Sequence, residues 1–213
     1  MRTKTLKLTA LMGVLTLALG ACSATADRPA PGSTVQMMGD YPSFSDAESL
    51  VGEADLVVEG TAVAVKYSMH KPSLEEFEKG YDSDKNHPLF GLPDADRTKA
   101  LEELAKDEGT PGTEVSFRVD AVHQGSARPG QVITVVQTGG IIDGVTYLLE
   151  SEPTLAVGGH YLLFLANFSG ALGILGGSAG MYRASENNSY VAVNRDMAPT
   201  QRFTTSELKD ITR

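Results

Sequence analysis

Cysteine is nearly absent: the 213 residues contain one, Cys22. A single thiol excludes an internal disulfide, so packing and hydrogen bonding must hold the fold, and the thiol needs another use. Beyond the first twenty residues there is no second apolar run long enough to cross a bilayer. Histidine is also scarce. His70, His87, His123 and His160 contain no pair at zinc-motif spacing, so a structural zinc site is not expected. His123 and His160 flank apolar segments and read as turn or rim residues. The GxSxG, phosphate-loop, HExxH and GxGxxG patterns are all missing. Ser178 sits in GGSAG, which lacks the nucleophile spacing and reads as a tight bend. No catalytic residue and no cofactor is assigned. Cations are outnumbered, 18 Lys and Arg against 27 Asp and Glu, for a formal charge of -9. An acidic body is repelled by nucleic-acid phosphates and anionic headgroups, so neither is expected as a partner.

What is present begins with an address. Arg2, Lys4 and Lys7 precede an apolar run over residues 8–19 and a small-residue exit at Cys22, the layout of a secretory signal peptide over residues 1–21. LGAC, residues 19–22, resembles the lipobox of bacterial lipoproteins. That resemblance implies a diacylglyceryl group on the Cys22 sulfur, cleavage before Cys22 and fatty acylation, palmitate for example, of the new amine. Two or more acyl chains hold stably, at about 0.8 kcal/mol per buried methylene. Loss of Arg2, Lys4 and Lys7 takes the charge from -9 to -12. The expected location is extracytoplasmic, on the cell membrane. Residues 22–44, rich in Ala, Pro, Gly, Ser and Thr, read as a flexible tether.

Residues 45–213 are enough for one core. Ser45 with Glu48 has capping-box spacing ahead of Ala47, Leu50, Val51 and Ala54 on one helical face. Residues 55–66 read as a strand whose apolar parity changes from Leu56 and Val58 to Val63 and Val65; a bulge at Gly60 would put both pairs on one face. Over residues 113–168, Val115, Phe117 and Val119 alternate with polar neighbours, whereas residues 132–136 and 161–165 are apolar on both sides and read as doubly buried strands. Gly125, Pro129 and Gly130 make the first link a hairpin. Gly139 and Gly140 read as a turn or as a close approach of another chain. Tyr182 and residues 191–193 add two strands joined through ENNS, and Thr204 with Glu207 caps a last helix.

Residues 67–112 depart from this pattern. They read as an insertion with one helix over about 94–106, capped by Asp94 or Asp96, with Leu101, Leu104 and Ala105 as its stripe and Glu102 opposite Lys106. Asp82, Asp84 and Asn86 have the alternate-residue oxygen spacing of half a calcium loop, but His87 and Pro93 replace its glycine and its bidentate glutamate, so an EF-hand is excluded and a solvated acidic turn is the plainer reading.

The expected fold is mainly β with α+β character at the edges: a small, partly open antiparallel β-barrel with a helical insertion. ADLVVEG, FRVDAVHQG, PGQVITVVQTGG and VGGHYLLFL resemble, in that order, segments of a group of exported bacterial proteins. The arrangement is similar to the OB-fold and to the netrin-like domains of metalloproteinase inhibitors. Those inhibitors use disulfides and a free N-terminal cysteine amine; an acylated Cys22 departs from that pattern. The expectation is a tethered, non-enzymatic binding module for an envelope protein or small ligand. An envelope hydrolase and a protease-inhibitor-like module are the alternatives.

Overall fold

The computed structural model describes residues 29–71, 74, 78, 81–82, 87, 89–106, 109–150, 152–168, 170–186 and 188–212. The signal segment, Cys22 and the start of the tether lie outside them. The described chain is mainly β, in eleven strands: β1 Thr34–Met37, β2 Leu56–His70, β3 Thr110–Gln124, β4 Val132–Thr138, β5 Gly140–Ile142, β6 Val145–Leu149, β7 His160–Phe168, β8 Ala171–Ile174, β9 Met181–Ser185, β10 Ser189–Ala192 and β11 Arg202–Thr204. Helices α1 Ala47–Gly52, α2 Asp94–Lys106 and α3 Thr205–Ile211 accompany them.

The long antiparallel β2–β3 pair, joined through residues 71–109, organises a mixed eight-stranded sheet of order β11-β10-β9-β7-β2-β3-β4-β8. β7 has β2 along one edge. Along the other it pairs with β9 through Tyr161–Leu163 and with β8 through Leu165–Phe168. Because β8 also pairs with β4, the ladder returns from β8 to β7. The β4–β8 pairing is parallel, so the expected purely antiparallel arrangement is corrected there. A second sheet, β1-β6-β5, joins the β5–β6 hairpin to a parallel β1. β1 falls in the stretch read as flexible tether. Its parallel partner lies over a hundred residues on, which no local pattern announces.

β7 carries both cores, as its doubly apolar pattern predicts. Tyr161, Leu163 and Leu165 point into an inner core with Val58, Phe117, Val119 and Val135. Leu162, Phe164 and Ala166 point into an outer core, where Leu50, Tyr182, Phe203 and Leu208 cover them. Each fully buried Leu or Phe contributes about 1.5–3 kcal/mol. β4, read as doubly buried, is not: Ile133 and Val135 face the core while Val132 is 56% exposed.

The caps follow the sequence closely. Thr204 and Glu207 form the expected capping box on α3. On α1 the box is Asp46 with Ser49, one residue later than Ser45 with Glu48, because the aspartate oxygen reaches the third amide of the helix at 2.8 Å. α2 spans the predicted range, but none of its residues is buried: Leu101 and Leu104 are half-covered and Ala105 is exposed. Its ion pair is Arg97–Asp94 at 2.9 Å, not the expected Glu102–Lys106.

The parity change in β2 also resolves differently. Register shifts fall at Val57/Val58, Glu59/Gly60 and Ala62/Ala64. Val63 is the unpaired residue of the last and is 39% exposed, so it is this bulge, past Gly60, that turns Val65 back toward the core. Gly139 and Gly140 make a close approach: Thr113 Oγ1 donates to the Gly139 carbonyl at 2.8 Å, and Gly140 pairs with Tyr147.

Candidate functional site

A cleft of about 1000 Å³ opens where the segment between β1 and α1 crosses the ends of β4, β7 and β8. Its size is at the upper end for small-molecule sites. Phe44, Val136, Phe168, Ile174 and Leu175 supply apolar walls; Tyr41, Gln137, Glu152 and His70 supply the polar groups. Two glycines set the first wall. Gly176 and Gly177 both adopt left-handed φ, +58° and +60°, and lie flat beneath the Phe44 and Tyr41 rings, where a Cβ would come within 2.8 and 3.0 Å of them. This is the bend expected at GGSAG. Ser178 is fully buried within it, not presented as a nucleophile.

At the polar end Tyr41 Oη donates to Glu152 Oε2 at 2.6 Å, across 111 residues of chain. Glu152 is only 8% exposed. Burial pushes it above its ordinary value of 4.5, opposed by hydrogen bonds from Tyr41, the Gln137 side chain and the Thr138 main chain. Burial, then the neighbouring carboxylate, likewise pushes the Tyr41 phenol up. Gln137, itself buried, holds the loop in place: its Nε2 donates to the Pro153 carbonyl at 3.2 Å and its Oε1 accepts from Leu155 N at 2.9 Å. His70 ends β2 on the cleft lining; its Nε2 is buried and makes no hydrogen bond among the described residues.

A second polar group lies on the sheet face beside the outer core. Along β2–β3 the residues Asp120 and His123 are skipped by the register, each the extra residue of a bulge. Bulges re-aim side chains. Here His123 Nε2 meets Glu59 Oε1 at 2.7 Å with both side chains largely covered, and Asp120 Oδ2 meets His160 Nε2 at 3.3 Å near the surface. Tyr190 hydrogen-bonds Glu59 from β10, and its ring stands 6.1 Å from that of His160. The His123 hydrogen bond holds Glu59 below the usual carboxylate range, with Tyr190 adding to it and burial opposing.

The sign for stability follows. A depressed folded pKa contributes stability above 4.5 that is lost as pH falls through the folded value. Replacing Glu59→Gln should therefore cost about 1–2 kcal/mol near pH 7, with the difference from wild type shrinking below the ordinary carboxyl value of 4.5. Urea midpoints measured across the acid range test this. A difference that stays constant with pH would mean the ionised Glu59 is not what His123 holds.

Of the residues singled out in the sequence, His123 and His160 are brought to carboxylates, whereas His70 lies across the fold in the cleft. His87 Nδ1 accepts from Leu89 N at 3.1 Å. Asp82 is exposed, Asp84 and Asn86 fall outside the described residues, and no group of three or more metal-ligating side chains occurs among the described residues. No described helix is long and apolar enough to span a membrane. Tyr41, Glu59, Gln137, Glu152 and Tyr190 escape sequence reasoning. None carries a spacing signal, and only the isolated tyrosine in a Gly-Pro stretch, DYPSF, marks Tyr41. No protein-family model and no curated protein matches the chain.

Proposed function

We propose that this chain is a bacterial lipoprotein, anchored outside the cytoplasm through acylated Cys22, whose β-domain is a non-enzymatic binding module that takes its ligand in the Tyr41–Glu152 cleft. The single observation that carries the binding reading is the cleft itself: apolar walls of ligand size around a few converging polar groups are the usual composition of such sites. The OB-like reading of the fold draws support from the strand order, in which β2, β3, β4, β8 and β7 pair in sequence, β7 pairs again with β2, and the β4–β8 step is parallel. An acidic body on a lipid tether stands off anionic headgroups and keeps the cleft available to solutes.

Two measurements test the two halves. Wild-type protein should sediment with membranes and incorporate labelled fatty acid, and Cys22→Ala should do neither; a variant that stays membrane-bound sinks the anchor. The full chain carrying Cys22→Ser, so that no acyl chain competes, should enhance the fluorescence of the neutral dye Nile red with one saturable site. Ala171→Trp, which fills the cleft from β8, should abolish that response with an unchanged circular-dichroism spectrum. Dye binding indifferent to Ala171→Trp would remove the cleft from consideration.

A further inference from the structure

The chemistry of the cleft also specifies the charge of what fits, and this step rests on the ligand-site reading above. Buried carboxylates are almost always paired with a cation or a metal. Glu152 is buried, yet its hydrogen bonds come from neutral donors: a phenol, an amide and a main-chain N–H. They satisfy its lone pairs but bring no positive charge, and burial makes ionisation costly, a cost that a cation beside it offsets. Among the described residues neither Lys nor Arg forms an ion pair with it, and the cleft lining contains no Lys or Arg. The other carboxylates on the lining, Asp40 and Glu53, have the same sign and are exposed at the rim. An anionic ligand would meet repulsion at the floor and at the mouth. A neutral ligand gains the apolar walls alone. A cation gains the carboxylate as well, while the walls of Phe44, Phe168 and Ile174 favour an apolar body behind it.

We propose that the cleft binds an amphipathic organic cation, with a primary ammonium seated against the Glu152 carboxylate beside Tyr41 and an apolar body lying along Phe44, Phe168 and Ile174. The chain's excess of acidic groups adds long-range attraction for such a solute. The ammonium donates to an ionised oxygen in a site shielded from water, the strongest class of hydrogen bond that the lining offers.

Three probes that differ only in the head group separate the possibilities: 4-phenylbutylamine, 4-phenylbutanol and 4-phenylbutyrate, titrated calorimetrically into the full chain carrying Cys22→Ser. The amine should bind at least about tenfold more tightly than the alcohol, and the butyrate more weakly than either. Glu152→Gln should bring the amine down to the alcohol's affinity. Tyr41→Phe, which keeps the carboxylate, should preserve the amine preference and guards against a Glu152→Gln variant that fails to fold. Equal binding of all three probes, or an amine preference that survives Glu152→Gln, overturns the cation inference and leaves the cleft as a ligand site. Failure of all three to bind overturns the cation inference; Nile red binding indifferent to Ala171→Trp overturns the ligand-site reading, and the inference with it.

Discussion

Gly60→Ala is expected to destabilise the protein by about 3 kcal/mol or more, an effect far beyond that of a typical added methyl group. Gly60 sits in the middle of β2, clamped between Val119 of β3 and Tyr161 of β7. A Cβ at this position would run into the Arg118 carbonyl oxygen and come within 2.6 Å of the Phe117 ring. Neither neighbour can yield easily. The carbonyl belongs to the β3 backbone, and Phe117 is fully buried in the inner core. The methyl must therefore push apart the strand pair around which the sheet is built. Gly52→Ala in α1 is the matched control: nothing lies within 4 Å of its added Cβ and its φ is not left-handed. It should be neutral or stabilising by about 0.5 kcal/mol. Urea midpoints for the two variants decide the matter. If Gly60→Ala falls within about 0.5 kcal/mol of Gly52→Ala, the close approach of β2 and β3 is wrong.

The second large effect is expected at Phe164. This ring is fully buried on the outer face of β7 and meets Tyr182 and Phe203 at centroid distances of 5.7 and 5.4 Å, while those two meet each other at 4.8 Å. The three side chains fasten β9 and β11 onto β7, and α1 and α3 pack over the same cluster through Leu50 and Leu208. Truncation to alanine loses the transfer free energy of the ring, leaves a cavity and removes two aromatic contacts, so Phe164→Ala should cost about 4 kcal/mol. Phe168, four residues on in the same strand, is 56% exposed on the cleft wall. Phe168→Ala should cost less than about 1 kcal/mol in stability while weakening Nile red binding. Equal losses at the two positions in thermal or urea unfolding would contradict the assignment of one to the core and the other to the site.

How far the fold was legible varies from residue to residue. The alternation of Val115, Phe117 and Val119 predicts the inner face of β3, and all three are fully buried. The apolar run of β7 predicts a strand covered on both sides, as found. Two strands went unread although a signal was present: Asp143–Gly144, with φ of 49° and 79°, is the two-residue turn that most strongly marks a hairpin, here between β5 and β6. β8, only four residues long, carries no such mark, and its place is decided by two partners, β4 and β7. The bulge that realigns β2 was placed at Gly60 by the glycine's tolerance, yet the parity is reset at Val63, because a bulge depends on the register of the partner strand and not on one residue's freedom.

The candidate site was less legible than the fold. Tyr41 and Glu152 are 111 residues apart, Glu59 and His123 are 64 apart, and no spacing rule connects either pair. Sequence by itself determined features set within a few residues: the α3 capping box, the span of α2, the one-face pattern of β3, the two-face pattern of β7 and the excess of acidic residues. Each depends on contacts between near neighbours or on composition, so the order of residues suffices. Tertiary structure alone decided which distant side chains meet, because strand pairing, the β3 bulges at Asp120 and His123 and the crossing of Tyr41 over Gly177 are settled by burying the two cores together. The buried Glu152 in a cleft lined by no Lys or Arg is a product of that burial.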